Sequence, residues 1–186
     1  GTAATFTYQP TEAPDYVYFT IVVGGLNGGH SGADIHLGRA CANKVLARFI
    51  YNVGKEFDYA LASFNGGNLR NAIARDAEAV IGVCSCNKER LSVLLNQYDA
   101  DIKNEYKRTE PNVAISIESV DKPNVVVDPT TTKNFIYALY CAPHGVLSMS
   151  TDIEGLVETS TNLASAKMQP DNQILVVTSQ RSSVES

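Results

Sequence analysis

Apolar positions along the chain fall into blocks of two periods, and the alternation of those blocks sets the expected fold. Tyr16 to Val23 (YVYFTIVV) is aromatic and β-branched throughout, which suits a strand covered on at least one face. Gly24 to Asp34 (GGLNGGHSGAD) is too rich in glycine for helix or strand and reads as a loop. Cys41, Val45 and Phe49 then recur at four-residue spacing with Ala42, Leu46 and Ile50 beside them, one wide apolar stripe of a helix that Gly54 is expected to stop. Strands are predicted over about Ala60 to Asn65 and Ala77 to Ser85. Asn87 follows as an N-cap to a long helix lined by Leu91, Leu94, Leu95, Tyr98 and Ile102. Val113, Ile115 and Ile117 alternate with Ala114, Ser116 and Glu118 as a half-buried strand.

The order to this point is βαββαβ, that of a split βαβ, ferredoxin-like α+β sandwich with one sheet and two helices on one face. Asp128-Pro129 then reads as an N-cap with proline in the first helical turn, and Phe135, Ile136, Leu139 and Tyr140 give the next helix its apolar face. Pro143 and Gly145 end it. Strands over about Val157 to Met168 and Gln173 to Ser183 close the chain around the turn Pro170-Asp171-Asn172. With the Val113 strand counted again, this half reads as an incomplete second βαββ unit. Residues 1–15 carry little pattern and are taken as a tail or linker. The domain is expected over 16–186, with a first lobe at about 16–120 and a second, partial one at about 121–186.

Composition narrows the partners. The 186 residues hold 15 Lys and Arg against 20 Asp and Glu, a formal net charge of -5, with no basic run. Nucleic acid and acidic membranes are therefore not expected partners, because phosphate binding needs clustered cations. No apolar run approaches the ~20 residues of a membrane helix, and no segment reads as a signal peptide. Four sparse cysteines suggest a reduced, cytoplasmic setting. Cys84 and Cys86, as a C-x-C in a strand, read as two small side chains packed on one face.

Three chemistries can be weighed on the residues alone. The segment GGLNGGHSG could form an anion-binding concavity between strand and helix, but it matches neither nucleotide-binding glycine pattern. Gly29-His30-Ser31-Gly32-Ala33 approximates a nucleophile elbow with His144 as a conceivable base, yet eight positions separate Val23 from Ser31 where an elbow turns sharply. Ser31 reads instead as a hydroxyl satisfying the loop backbone. The three histidines, His30, His36 and His144, are too scattered for a zinc site, and no paired-Cys spacing exists. What remains is a concentration of polar groups in glycine-supported loops: His30, Asn65, Asn68, Arg70 and Asn71.

Those residues carry a resemblance. The run GLNGGHSGADIHLGRACANKVLARF (Gly25 to Phe49), then FNGGNLRNAI (Phe64 to Ile73), then EGLVETSTNLA (Glu154 to Ala164) closely resembles the lid domain of PepD-type aminoacyl-histidine dipeptidases, also called Xaa-His dipeptidases or bacterial carnosinases. Weaker similarity extends from about Tyr16 to Ser183. The resemblance implies a cytosolic enzyme that hydrolyses Xaa-His and related dipeptides. In it a separate catalytic domain holds two zinc ions, a metal-activated water attacks the peptide carbonyl, and the inserted lid mediates homodimerisation and closes over the dipeptide substrate. No metal-binding motif is present here, so no cofactor is expected in this chain, and the lid alone is expected to be inactive without its own catalytic domain.

Carried over by position, His30 of GGHSG is implied to stabilise the oxyanion, Asn71 of NGG-x-x-RN and Arg181 of the last strand to hold the substrate carboxylate, and none of the three to bind metal. These roles suit an imidazole N–H donor and a guanidinium fork. Arg181 shares strand parity with Leu175, Val177 and Ser179. His36, also in the first run, is read as making a structural hydrogen bond. Ala40-Cys41 and Ala74 depart from residues usual in such lids and touch none of these groups. The rival reading is a stand-alone ferredoxin-like regulatory or self-association module that binds a small ligand.

Overall fold

The computed structural model describes residues 1–183. In chain order the strands and helices are β1 (Thr2–Thr7), β2 (Pro10–Glu12), β3 (Val17–Gly24), β4 (Gly29–His30), α1 (Ala42–Glu56), β5 (Tyr59–Gly66), β6 (Ala72–Ile73), β7 (Ala77–Val83), α2 (Lys88–Glu105), β8 (Ala114–Val120), β9 (Val125–Val127), α3 (Pro129–Cys141), β10 (Gly145–Met149), β11 (Val157–Gln169) and β12 (Gln173–Ser182). The fold is α+β, with the main sheet ordered β1-β12-β11-β5-β7-β3-β8 and β10 paired beside β5 on β11. Its right-hand four strands, β5-β7-β3-β8, are antiparallel and follow the ferredoxin-like order.

The helices form because their apolar residues fall on one stripe, and they stay because that stripe is covered. On α1, Val45, Leu46, Phe49, Ile50 and Val53 are all buried. The helix runs through Gly54 to Glu56 rather than stopping there. The glycine serves a close approach instead, since a Cβ on it would stand 3.0 Å from Cε1 of Tyr59. Leu91, Leu95, Tyr98 and Ile102 bury α2, while Leu94 is only partly covered. Asn87 is its N-cap residue but makes no side-chain capping bond, because a single 3-10 turn over Ser85–Asn87 leads into the helix. Asp128 does cap α3, accepting from Thr131 N at 2.8 Å, with Pro129 in the first turn. Phe135 stands edge-on to both Phe64 and Phe6 in the centre of the core. Tyr140 sits outside that core, stacked on Tyr51 at 4.0 Å.

Three expectations change. Residues 1–15 are part of the fold: β1 pairs with β12 and β2 with β9. Only Phe6 of β1 points into the interior, so the segment lacked a readable alternation. In the second half α3 is followed by three strands rather than two, since β10 precedes the expected pair, and β11 and β12 extend the first sheet, joined to β5 through Ala166 and Lys167. The two expected lobes thus share one sheet and one core. Finally, β7 ends at Val83, and Cys84 and Cys86 lie in the turn beyond it with their sulfurs joined as a disulfide, not packed on a strand face. The β11–β12 hairpin turns where expected, with Asp171 and Asn172 at φ 62° and 57°, values their short polar side chains tolerate.

Candidate functional site

The glycine-rich segment after β3 folds back so that β4 pairs with β6, placing His30 opposite Ala72. Beside that pair, Ser31 N donates to the carbonyl of Asn71 at 2.8 Å. The segments bearing His30 and Asn71 are thereby held side by side. Their own side chains are exposed.

His30 is fixed from both ends. Its N–H donates to Asp34 Oδ2 at 2.7 Å, and its carbonyl accepts from Asp34 N at 2.8 Å. The ring folds over the same turn, where Nδ1 accepts from Gly32 N at 3.2 Å and Ala33 N at 3.1 Å. A nitrogen that accepts two N–H bonds carries no proton, so the neutral imidazole must hold its proton on Nε2. The ring therefore presents an N–H donor outward. Arg39 braces the turn, donating to Gly28 O at 2.6 Å while lying 3.7 Å from Asp34.

Arg181 comes to the same place from the far end of the chain. A Cβ on Gly32 would lie 2.9 Å from Arg181 Cζ and 3.0 Å from Nη1, so the guanidinium rests directly against that glycine. It stands on the less buried face of β12, since Ile174 and Val176 fill the core from the other. His30, Asn71 and Arg181, separated by up to most of the chain, are thus grouped around one turn.

Asn162 is the residue that sequence reasoning did not single out. It is 1% exposed, and its amide nitrogen donates to Ala72 O at 2.9 Å and Arg70 O at 3.4 Å, straddling Asn71. No local signal marked it, because polar and apolar residues mix throughout β11 (VETSTNLASAKMQ) and the burial of Ser160-Thr161-Asn162 shows only in the fold. Next to it, Leu163 O accepts from Asn43 Nδ2 and Cys41 Sγ, and Leu163 N donates to His144 Nδ1 at 3.1 Å. Burial first, and the nearby Lys44 ammonium second, push His144 down to about 4. Lys44 is itself lowered by burial while it donates to the carbonyls of Leu139, Tyr140 and Ala142 at 2.9, 2.6 and 2.7 Å. It caps the C-terminus of α3, where the helix leaves its last carbonyls unpaired.

Two expected roles differ. Ser31 is 2% exposed and its Oγ has no hydrogen-bond partner among the described residues; the loop bond is made by its backbone N–H. Buried in this way, and with His144 Nδ1 engaged by Leu163, it is not placed as a nucleophile. His36 is exposed in the turn Ile35–Leu37 and makes no side-chain hydrogen bond among the described residues. Among the described residues no three His, Cys, Asp or Glu side chains converge to hold a metal ion. Asn65, Asn68, Asp76 and Glu78 line a cavity of about 180 Å³ with Lys167, which donates to Asn68 Oδ1 at 2.6 Å.

Around one turn that also holds the Asp34 carboxylate, the site gathers two outward donors, an imidazole N–H and a guanidinium, beside the Asn71 segment. Such a set receives negative charge.

Residues 22–110 match the family described as a peptidase dimerisation domain. The chain is 40% identical over 154 residues to the cytosol non-specific dipeptidase of Escherichia coli (strain K12), covering 83% of this chain and 32% of that protein. Its fold is similar to that of the aminoacylhistidine dipeptidase of Vibrio alginolyticus, with a TM-score of 0.94 and 35% identity, covering 98% of this chain and 37% of that one. The chain thus spans about a third of the length of each.

Proposed function

We propose that this chain, which is a peptidase dimerisation domain of the PepD type, acts as the self-associating lid of a larger cytoplasmic dipeptidase and supplies the groups that receive charge from the substrate. The observation that carries the reading is the convergence of His30 and Arg181 on Gly32, beside Asn71. In this reading the Nε2–H of His30 donates to the carbonyl oxygen as it becomes an oxyanion, and Arg181 with Asn71 holds the C-terminal carboxylate of an Xaa-His or related dipeptide. In this reading the two zinc ions expected of the parent enzyme, and the nucleophile, are supplied by a separate catalytic domain, and this chain adds donors to the site they form. Self-association is what a dimerisation domain implies; a homodimer whose lids close on the active sites is the arrangement proposed.

The test uses the full-length parent enzyme. His30→Ala should lower kcat on the order of 100-fold, the cost of a lost oxyanion donor, while bound zinc stays unchanged. An unaltered kcat overturns the assignment. A chelator should abolish dipeptidase activity in the parent enzyme, and persistence of that activity would refute the expected metal dependence.

A further inference from the structure

We infer that Glu110 is a positioning residue for His30, closing the glycine-rich loop at both ends. The inference rests on the reading of His30 as an oxyanion donor. Glu110 follows the last turn of α2, with its N–H bonded to Tyr106 O at 2.8 Å, and is 1% exposed. Its Oε2 accepts from Asn27 N at 2.7 Å and its Oε1 from Ala40 N at 3.1 Å. One buried carboxylate thereby ties together the two ends of the loop that carries His30, Asp34 and Arg39. Asn27 Nδ2 adds a second tie at its own end, donating to Thr109 O at 2.8 Å.

Chemistry argues that this clamp serves more than cohesion. A buried carboxylate is costly to desolvate, and here its recorded partners among the described residues are backbone N–H groups rather than a lysine or arginine. An apolar side chain would fill the space but leave two N–H groups unpaired next to Leu26 and Ala40, both buried. The loop between has glycines at positive φ, Gly28 at 66°, Gly29 at 142° and Gly38 at 66°, so its backbone has many alternatives to the single conformation that aims the imidazole. Fixing both ends removes most of them. A carboxylate is the one side chain that accepts from both ends at once with two equivalent oxygens.

The experiment compares Glu110→Gln, His30→Ala and the double variant in the full-length parent enzyme, by kinetics and by amide hydrogen exchange of peptides spanning 27–40. Gln keeps the volume but turns an NH2 toward one of the two N–H donors. Exchange in that segment should accelerate, and kcat should fall on the order of 10-fold, as for a displaced catalytic group, with KM little changed. Added to His30→Ala, Glu110→Gln should cost nothing further in kcat. Unchanged exchange, or losses that multiply in the double variant, overturns the inference. If His30→Ala retains full kcat, the oxyanion reading fails, while the exchange measurement still decides whether Glu110 orders the loop. Should Glu110→Gln not fold, Glu110→Asp, too short to reach both ends, replaces it in the same comparison.

Discussion

Acid should loosen this domain through one imidazole. Nδ1 of His144 accepts from Leu163 N at 3.1 Å, and the ring is partly buried near the Lys44 ammonium. Protonating Nδ1 would set two donors against each other and add a second cation beside the first. The ring's pKa is accordingly held near 4, against 6.5 for a free histidine. The sign follows from proton counting: between those values the unfolded chain binds a proton that the folded one does not, so stability falls as pH drops from 6.5 towards 4. At about 1.4 kcal/mol per pKa unit, the loss from this group reaches ~3 kcal/mol at most, and somewhat less because one edge of the ring meets solvent. His144→Asn provides the control, offering Oδ1 to Leu163 N without titrating in this range. Urea unfolding followed by far-UV circular dichroism at pH values from 7 to 4 gives both stabilities. The carboxylates titrate alike in both proteins, so the difference between the curves isolates His144. The wild type should lose its advantage over the variant progressively below pH 6.5. A difference that stays constant across the range refutes the reasoning.

Two neighbouring perturbations test the same framework. Lys44→Met keeps the apolar stem but strips the last turn of α3 of its donor, and should cost ~1–3 kcal/mol in urea unfolding; it should also let the His144 pKa rise, read by NMR titration, and an unmoved pKa would show that burial alone sets it. Gly32→Ala places a methyl against the Arg181 guanidinium, so in the parent enzyme Gly32→Ala and Arg181→Ala should both raise KM for free dipeptides while sparing C-terminally amidated ones. Equal effects on both substrates would remove Arg181 from the carboxylate site.

How much was legible depended on whether a side chain's partner lay nearby in sequence. The stripe from Val45 to Val53 and the line Leu91, Leu95, Tyr98, Ile102 announce themselves because helical period and burial coincide. Asp128-Pro129 is equally local, since cap and capped N–H are three residues apart. β1 was not legible: it is an edge strand that gives the core one side chain, Phe6, whose partner Phe135 lies far away in sequence on α3. The buried run Ser160-Thr161-Asn162 defeats alternation, and within it Asn162 Nδ2 answers the carbonyls of Arg70 and Ala72 in another segment, which no local pattern records. Glu110 is the extreme case, a carboxylate between two turns that looks like solvated surface until Asn27 and Ala40 are seen to close on it.

The same distinction explains why the proposed site residues were carried over by motif and not by pattern. His30, Asn71 and Arg181 are exposed, so no periodicity marks them, and their grouping is made by backbone: the β4–β6 pair, the bond from Ser31 to Asn71, and the absence of a side chain at Gly32. What identifies such a site physically is the glycine and the buried amide, not the functional groups themselves. A Cβ at Gly67 would overlap the carbonyl of Ala164, and φ there is 69°, so the NGG turn can bring the Asn71 segment against β11 only as glycine. Asn162 then locks that approach through Ala72 O. In the proposed reading, donors carried on so constrained a backbone are in place before any substrate arrives, which is the condition under which hydrogen bonds to developing charge lower a barrier without a cost of reorganisation.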